Sequence, residues 1–365
     1  MSPDTRVAER EERSPAAALA RSSPRRRAAP SIADVAAVAG VSAQTVSRVS
    51  TGYTGVRPET RDRVLAAMEQ VGYVPNSAAR ALKHGAFRTI GLIAHQLART
   101  GESSTVDAVV DAARQEGYGV TLVDVRSPTS HDVTAAVAGL AHMAIDGLII
   151  IRAELATPED LTLPPQIPVV VSDSHFAGRH PAVATDQAAG SQMAVQHLLG
   201  LGHRTVSHLA GPSDSLPAAE RESAWRAVLT GADRPVPAPY RGTWTAESGY
   251  RLGAQIAAEV RAGTVTAVFC ANDLMALGLC RALYEAGLRV PQDVSVIGFD
   301  DIPESGYFWP PLTSVAQDFQ LVGQRLVRML VEQIHSGERP SERVLLPVEL
   351  VVRASTAPPS TGSPV

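Results

Sequence analysis

The segment SIADVAAVAGVSAQTVSRV, residues 31–49, predicts two short helices separated by a tight turn. Ser31 and Asp34 have the three-residue spacing of a capping box, which starts a helix. Gly40 is expected to end this helix, because glycine readily adopts the left-handed conformation of a helix C terminus. Ser42 then caps the second helix. The inner face of the first helix is predicted to carry Ile32, Val35 and Val38.

A third helix follows and completes a helix-turn-helix unit over residues 31–74. Pro58 suits the first turn of this helix, and Gly72 suits its end. Its predicted apolar face consists of Val64, Leu65, Met68 and Val71. In the second helix, Val46 and Val49 lie three residues apart and are expected to point inward. That placement leaves four residues on the outer side: Ala43, Gln44, Ser47 and Arg48.

The pattern changes at Thr89 to short apolar runs separated by helical segments. Seven runs read as strands: TIGLIA (89–94), GVTLVDV (119–125), GLIII (147–151), PVVVSD (168–173), VSHLAG (206–211), AVFCAND (267–273) and VSVIGFDD (294–301). Apolar strands that alternate with helices are typical of parallel sheets covered on both faces. The number of such units favours two doubly wound lobes over residues 89–356, with a closed α/β barrel as the structural alternative.

Charge is distributed unevenly along the 365 residues, although the net charge is only -4. Residues 1–30 hold seven arginines against four acids, and residues 31–88 hold seven basic residues against four acids. The rest of the chain is acidic, with 19 basic and 29 acidic residues. A basic start joined to an acidic body indicates that only the first part meets a polyanion.

Several classes of protein are disfavoured by what the sequence lacks. It has no apolar run of about 18 residues and no apolar core of a signal peptide, so we expect a cytoplasmic protein with no membrane partner. Its two cysteines, Cys270 and Cys280, have no CxxC spacing and are expected to be free thiols. A GxSxG motif, a P-loop and a metal-binding pattern are all missing, which argues against an enzyme.

Residues 31–49, together with RPETRDRVLAAMEQVGYVPNSAARALK (57–83), resemble the DNA-binding head and hinge of the lac repressor (LacI/GalR) family. The resemblance continues to about residue 356. It implies an α/β protein: an N-terminal all-α helix-turn-helix head plus a two-lobed, doubly wound domain like the periplasmic binding proteins. It also implies a transcriptional regulator, a repressor that binds a palindromic operator in double-stranded DNA as a homodimer and is released by a sugar effector.

The resemblance assigns DNA contacts in the head and in a hinge at residues 75–88. A helix in the major groove could pair Gln44 with adenine and Arg48 with guanine, while Ala43 offers only an apolar contact. Alternatively, Arg48 forms a surface salt bridge. Caps and phosphate contacts are assigned to Ser42, Thr45 and Ser47. In the hinge, Asn76 would cap a helix, and Leu82 would act as the minor-groove wedge unless it is a core residue.

Seven residues match effector contacts of the family: Asp173, Arg221, Trp244, Asn272, Asp300, Gln317 and Phe319. His95 is an eighth candidate contact, at the mouth of the pocket, and departs from the family pattern. Three of them end predicted strands, where ligands bind in open α/β sheets: Asp173, Asn272 and Asp300. Carboxylates, an amide and an arginine suit sugar hydroxyls, and Trp244 suits the C–H face of the ring. The resemblance implies a galactoside-like ligand. His95 stands where a small polar residue is expected, so another hexose, a pentose or an oligosaccharide remains an alternative.

The ends of the chain are expected to lie outside the folded domains. Residues 1–30 are predicted to be a disordered arm, because they are rich in Pro, Ser, Ala and Arg without apolar periodicity. Residues 357–365 are predicted to be a flexible tail, and the final segment ASTAPPSTGSPV cannot form a leucine heptad helix, so a dimer is expected. No cofactor is expected. The alternative class, a sugar-binding transport protein, has no use for a DNA-binding head.

Overall fold

The head contains the three predicted helices, α1 (Ile32–Ala39), α2 (Ala43–Ser50) and α3 (Pro58–Val71). They are seen in a computed structural model that describes residues 30–51, 53–74, 86–125, 130–151, 163, 165–172 and 179–360. The head and the body that follows are separate compact units. The predicted arm and most of the predicted hinge lie outside the described residues.

The helix ends in the head are set by the residues that the sequence predicts. The Ser31 hydroxyl accepts a hydrogen bond from the Asp34 N–H at 3.3 Å, and the Asp34 carboxylate accepts one from the Ser31 N–H at 2.7 Å. This reciprocal pair is a capping box. Gly40 and Gly72 end α1 and α3 with φ angles of 63° and 67°, in the left-handed region. The predicted caps are therefore confirmed.

The predicted inner faces of α1 and α3 were wrong at two positions. Val38 and Leu65 are exposed, whereas Ala39 and Ala67 are buried. With 3.6 residues per turn, the residue four places after a buried one lies closer to the core-facing line than the residue three places after it. Leu65 lies about 100° around the helix from Val64. The head core consists of Val35, Ala36, Ala39, Val46, Val49, Val64, Ala67 and Met68.

The N-terminal lobe of the body is built on a parallel sheet that has six strands within the described residues. Its strands are β1 (Thr89–His95), β2 (Gly119–Val125), β3 (Gly147–Ile151), β4 (Val169–Ser172), β5 (Ala182–Thr185) and β11 (Arg343–Leu346). Their order across the sheet is β11-β5-β4-β3-β1-β2. The three central strands are almost fully buried, as expected when helices cover both faces of a sheet.

The C-terminal lobe repeats this plan with the described order β12-β10-β9-β8-β6-β7. Its strands are β6 (Ser207–Ala210), β7 (Tyr240–Arg241), β8 (Ala267–Cys270), β9 (Ser295–Asp300), β10 (Thr313–Ala316) and β12 (Glu349–Val351). All neighbours are parallel except β12, which runs antiparallel to β10. All seven predicted apolar runs form strands. Two open sheets are present in place of the closed barrel, so the doubly wound prediction is confirmed.

Helices cover the two sheets, and the chain passes between the lobes three times. The helices are α4 (Thr100–Gln115), α5 (Ser130–His142), α6 (Gln187–Gly200), α7 (Leu216–Gly231), α8 (Ala246–Arg261), α9 (Asp273–Glu285) and α10 (Phe319–Ser336). The crossings follow β5, β10 and β11. Among the described helices, none is long and apolar enough to cross a membrane.

The folded body extends beyond residue 356, the boundary that the sequence predicted. The Ala357 N–H donates to the Ser295 hydroxyl at 3.0 Å, and the Ala357 carbonyl lies 3.0 Å from His203 Nε2. These bonds attach the start of the predicted tail to β9 and to His203. They satisfy the main-chain N–H and carbonyl groups of Ala357. Residues 361–365 lie outside the described residues.

Candidate functional site

The outer surface of α2 carries the side chains predicted to contact bases. Ala43, Gln44 and Arg48 are exposed, while Val46 and Val49 are buried in the head core. The buried valines fix the orientation of α2, so the exposed side chains of its first turns form one surface. Such a surface has the length and chemistry that a major groove accepts.

Of the three residues assigned to caps and phosphate contacts, Ser42 is the N-cap of α2. The Ser42 hydroxyl accepts from the Thr45 N–H at 3.2 Å, and the two side-chain hydroxyls lie 2.9 Å apart. Ser47 is half-buried, and its carbonyl accepts bonds from two hydroxyls one turn later. The Arg48 guanidinium lies 5.5 Å from the centre of the Tyr53 ring, which is within the range of a cation–π contact.

Three of the predicted contact residues cannot be placed. Asn76 and Leu82 of the hinge and Asp173 after β4 lie outside the described residues. Their assigned roles remain predictions from the sequence.

A cleft of about 270 Å³ lies between the two lobes of the body. Four of the predicted effector residues line it from the C-terminal lobe: Arg221, Trp244, Asn272 and Asp300. Four residues that the sequence analysis did not select line it from the N-terminal lobe: Arg99, Thr100, Gly101 and Glu102. Because the walls belong to different lobes, a bound ligand would contact both.

Arg221 is buried at the centre of this cleft and is held on several sides. Its Nε–H donates to the Gln187 side-chain oxygen at 2.8 Å, and one terminal nitrogen lies 3.5 Å from Asp300 Oδ1. A second terminal nitrogen donates to the carbonyl of Ala271. The guanidinium carbon lies 3.7 Å from the centre of the Phe299 ring. These contacts fix a planar set of donors, as recognition of paired oxygens requires.

A buried chain of amide and hydroxyl groups connects the cleft to the lobe crossings. The Gln317 amide donates to Asp300 Oδ1 at 2.7 Å, and its oxygen accepts from the Gln187 amide at 2.9 Å and from the Thr185 hydroxyl. Gln187 Nε2 also lies 2.6 Å from the Thr185 hydroxyl. Residues 185–187 span the first crossing, and Gln317 lies at the second. The network therefore joins the site to two of the segments that connect the lobes.

Asn272 holds the site together through its side chain. Its oxygen accepts from the Met275 N–H at 2.9 Å and caps α9, and its amide donates to the Trp244 carbonyl at 3.0 Å. Asn272 is therefore a helix cap, and it also fixes the main chain at Trp244. Asp273 is buried and accepts from Ser314, Ser305 and the Ile302 N–H. Burial and the nearby Asp300 raise the pKa of Asp273 to about 7.

The backbone is strained at two residues that line the cleft, Trp244 and Asp300, and at the adjacent Asp301. Trp244, Asp300 and Asp301 have φ angles of 68°, 106° and 50°. Residues other than glycine rarely adopt a positive φ angle, and each such residue lowers the stability of the fold by about 1–3 kcal/mol. Strain of this kind persists only where the surroundings hold it. Asp301 forms an ion pair with Arg353 at 2.6 Å within the C-terminal lobe.

His95 and Phe319 are absent from the described lining of the cleft. The buried His95 has Nδ1 2.6 Å from the Val125 carbonyl, so its ring ties β1 to β2. Phe319 is half-buried at the start of α10. Both are close in sequence to lining or network residues, and their assignment as ligand contacts remains a prediction.

Three residues of the site were not predicted from the sequence: Arg99 and Glu102, which line the cleft, and Gln187, which bonds to Arg221. Arg99 and Glu102 have the spacing of an ordinary surface ion pair, so their charges gave no sign of burial. Gln187 follows Asp186, the cap of α6, and resembles any polar residue of a first turn. The usable signal was position, because all three follow parallel strands at the edge where ligands bind.

Two family models match the chain. The first describes bacterial regulatory proteins of the lacI family and matches residues 31–76, the head. The second describes a periplasmic binding protein-like domain and matches residues 195–356. The matched ranges agree with the head and with most of the C-terminal part of the body.

Known relatives match the chain along almost its whole length. The lactose operon repressor of Escherichia coli is 37% identical over 334 residues, which are 90% of this chain and 91% of that protein. The regulator CelR of Thermobifida fusca is 33% identical over 345 residues, 90% of this chain and 99% of that protein.

The fold is similar to that of solved structures from the same group. The lac repressor dimer bound to operator and the anti-inducer ONPF has a TM-score of 0.78 at 35% identity, with 90% of this chain and 99% of that chain covered. A CelR–cellobiose complex has a TM-score of 0.66 at 31% identity, with coverages of 89% and 99%. The head, the two-lobed body and these matches over nine tenths of the sequence place the chain in the lacI family of bacterial regulatory proteins.

Proposed function

We propose that the protein is a transcriptional repressor that binds a palindromic operator as a dimer and releases it when a sugar occupies the cleft. The observation that carries this proposal is the combination of two surfaces in one chain. The exposed face of α2 suits the major groove, and a cleft lined by Arg221, Asp300 and Trp244 suits a polyol. A ligand that contacts both lobes favours one relative arrangement of the lobes over another. If the two arrangements differ in DNA affinity, ligand binding changes the affinity for the operator.

The effector that the cleft residues favour is a galactoside-like sugar. A hydroxyl both donates and accepts, so it can satisfy the Asp300 carboxylate and the Arg221 guanidinium at once. The lactose operon repressor, 37% identical, supports a galactoside. The CelR–cellobiose complex supports the alternative of an oligosaccharide, and another hexose or a pentose has the same functional groups. No cofactor is part of this proposal.

A dimer supplies the two heads that a palindromic operator needs, because protein and operator then share a two-fold axis. The C-terminal lobe offers a surface for it. Leu277 and Tyr284 are exposed on α9, and Tyr307 and Trp309 are 90% and 92% exposed on the segment that Asp273 ties to the start of α9. Large exposed aromatic residues of this kind mark association surfaces. The lac repressor dimer among the similar structures supports the same arrangement.

The competing classes leave part of the molecule without a role. A sugar-binding transport protein would use the cleft but not the head, and an enzyme acting on a ligand in the cleft would likewise leave the head unused. A protein with this proposed function would act in the bacterial cytoplasm, where the operator DNA is.

The experiment that tests this function combines operator selection with release. Full-length protein is used to select binding sites from random DNA, and the best site is then titrated with galactosides, cellobiose, glucose and a pentose. We expect a palindromic site whose affinity falls steeply with salt, and loss of binding at one sugar. A non-palindromic or salt-independent complex contradicts the dimeric repressor. Release by a sugar other than a galactoside contradicts the ligand assignment alone.

A further inference from the structure

The loop after α2 carries an exposed aromatic ring that the sequence analysis did not select. Tyr53 is 53% exposed and does not belong to the head core. Its main chain is nevertheless attached to two helices. The Tyr53 N–H donates to the Arg48 carbonyl at 3.0 Å, and the Tyr53 carbonyl accepts from the Arg61 guanidinium of α3 at 2.8 Å. These two bonds fix the position of Tyr53 relative to α2.

The ring of Tyr53 packs against Arg48 and against Gly55. The Arg48 guanidinium carbon lies 5.5 Å from the ring centre. A Cβ on Gly55 would lie 2.4 Å from Cε1 of the ring and 2.8 Å from its Cζ, well inside van der Waals contact. The φ angle of Gly55 lies outside the left-handed region, so the ring, and not the backbone, requires the absence of a side chain there.

Arg48 differs from other arginines that lie against a ring on a helix surface. Arg226 and Arg281 lie 5.6 Å and 5.8 Å from the centres of neighbouring rings, but each also forms an ion pair with a glutamate, at 3.2 Å and 2.7 Å. Within the described part of the chain, Arg48 forms no ion pair. A carboxylate would occupy the N–H groups that a base needs, whereas the face of a ring leaves them free to donate.

We propose that Tyr53 is a positioning residue for base recognition: its ring holds the Arg48 guanidinium in the orientation that a bidentate contact with guanine requires, and Gly55 makes room for the ring. This inference rests on the proposed function, in which Arg48 reads a base.

The physical basis is the ordering of a long side chain before it binds. An exposed arginine samples many rotamers, and fixing one of them on binding lowers the affinity. A ring that orders the guanidinium beforehand removes part of that loss. The gain applies where a guanine pairs with both N–H groups, because only that contact depends on the orientation of the guanidinium plane. Tyr53 should therefore raise specificity and leave the general affinity for DNA unchanged.

Competition binding by the full-length protein tests the inference with two duplexes, the selected operator and the same operator with one base pair replaced. The replaced base pair is the one at which Arg48→Ala loses preference. Tyr53→Leu removes the ring and keeps an apolar side chain, and it should reduce discrimination between the duplexes by about 2- to 5-fold, the contribution of an exposed cation–π contact. Affinity for random DNA should not change. Tyr53→Phe retains the ring and should discriminate as the natural protein does.

Further variants show whether the ring acts through Arg48. In an Arg48→Ala background, Tyr53→Leu should leave the remaining base preference unchanged, because the side chain on which the ring acts is absent. Gly55→Ala keeps Tyr53 but displaces its ring, so it should lose discrimination as Tyr53→Leu does. Leu65→Ala is the control, since it shortens an exposed side chain of α3 and should change neither discrimination nor affinity.

Three outcomes overturn the inference and leave the proposed function standing. The first is equal discrimination by Tyr53→Leu and the natural protein. The second is a loss of affinity for all DNA sequences alike in Tyr53→Leu and Tyr53→Phe, which would assign the tyrosine hydroxyl to a phosphate contact. The third is an Arg48→Ala variant with unchanged base preference.

Two further outcomes complete the test. If the natural protein selects no palindromic site, the proposed function and the inference fail together. If Tyr53→Leu does not fold, Gly55→Ala provides the same comparison, and full discrimination in that variant overturns the inference.

Discussion

Gln187→Leu should disconnect the cleft from the lobe crossings. The natural side chain is buried and takes part in three hydrogen bonds, with Thr185 at 2.6 Å, Gln317 at 2.9 Å and Arg221 at 2.8 Å. Leucine has nearly the same size and no polar atom, so it removes all three bonds without opening a large cavity.

The expected loss of stability follows from these contacts. Three hydrogen bonds contribute about 1 kcal/mol each, and the Arg221 Nε–H left buried without Gln187 costs about 2 kcal/mol more. Burial of the leucine side chain returns about 2 kcal/mol. The free energy of unfolding of the body should therefore fall by about 3 kcal/mol. Sugar affinity should also fall, because the Arg221 guanidinium loses one of its supports.

Urea unfolding followed by tryptophan fluorescence measures the first effect, and calorimetry with the releasing sugar measures the second. Gln192→Leu is the matched control, since Gln192 is exposed on the same helix, and it should change stability by less than about 0.5 kcal/mol. Equal midpoints for the Gln187→Leu variant and the natural protein would refute the reasoning, as would unchanged sugar affinity.

The other predictions concern the head, the cleft, the core and the dimer. Arg48→Ala should flatten the base preference at one or two positions of each half-site, by about 1–3 kcal/mol, in a binding-site selection. Gly211→Ala should weaken sugar binding in calorimetry, because a Cβ there would lie 2.6 Å from Trp244 Cζ2 and must displace the ring. His208→Phe should remove about 2 kcal/mol of pH-dependent stability between pH 7.5 and pH 5 in urea titrations. Trp309→Asp should convert the dimer to monomer in sedimentation and weaken operator binding in the same preparation.

The sign of the His208 effect follows from its burial, which lowers its pKa to about 4. The unfolded chain binds that proton near pH 6.5, so stability is complete above about pH 6.5 and declines as the pH falls toward 4. Asp273, with its raised pKa, acts in the opposite direction, so the difference between the natural protein and the variant is the quantity to compare. An unchanged difference across this range contradicts a buried neutral imidazole.

Two further controls limit the alternatives. Gly231→Ala adds a Cβ with no atom within 4 Å, so it should leave sugar affinity unchanged. Arg63→Ala removes an exposed charge from α3 and should lower affinity for all DNA sequences alike. A base preference altered as much by Arg63→Ala as by Arg48→Ala would remove Arg48 as a specific reader.

Local signals in the sequence predicted the caps of the head and the buried strands of the body. Ser31, Gly40 and Gly72 act through their immediate neighbours, so their roles are visible in a few residues. Strands such as β5 and β10 escaped prediction because they are only four residues long and contain threonine, serine and alanine. Their burial comes from neighbours far away in the chain.

The candidate site was partly predictable for the same reason. Asp300 and Asn272 stand at or just after strand ends, and that position can be inferred from the sequence. The Arg99–Glu102 pair was missed, because its spacing is that of an ordinary surface ion pair and its place in the cleft depends on residues of the opposite lobe. Gln187 likewise gains its role from Gln317, which lies 130 residues further along the chain.

The three crossings between lobes also set an order of events during synthesis. The N-terminal sheet is completed only when β11 pairs with β5, about 160 residues earlier, whereas the head contains only neighbouring helices. At about 5–20 residues per second, a ribosome needs about 15 to 60 s to proceed from the head to β11. A nascent chain therefore contains a complete DNA-binding head well before the two-lobed body can form. A chain that ends before α10 contains the head but cannot complete the N-terminal lobe.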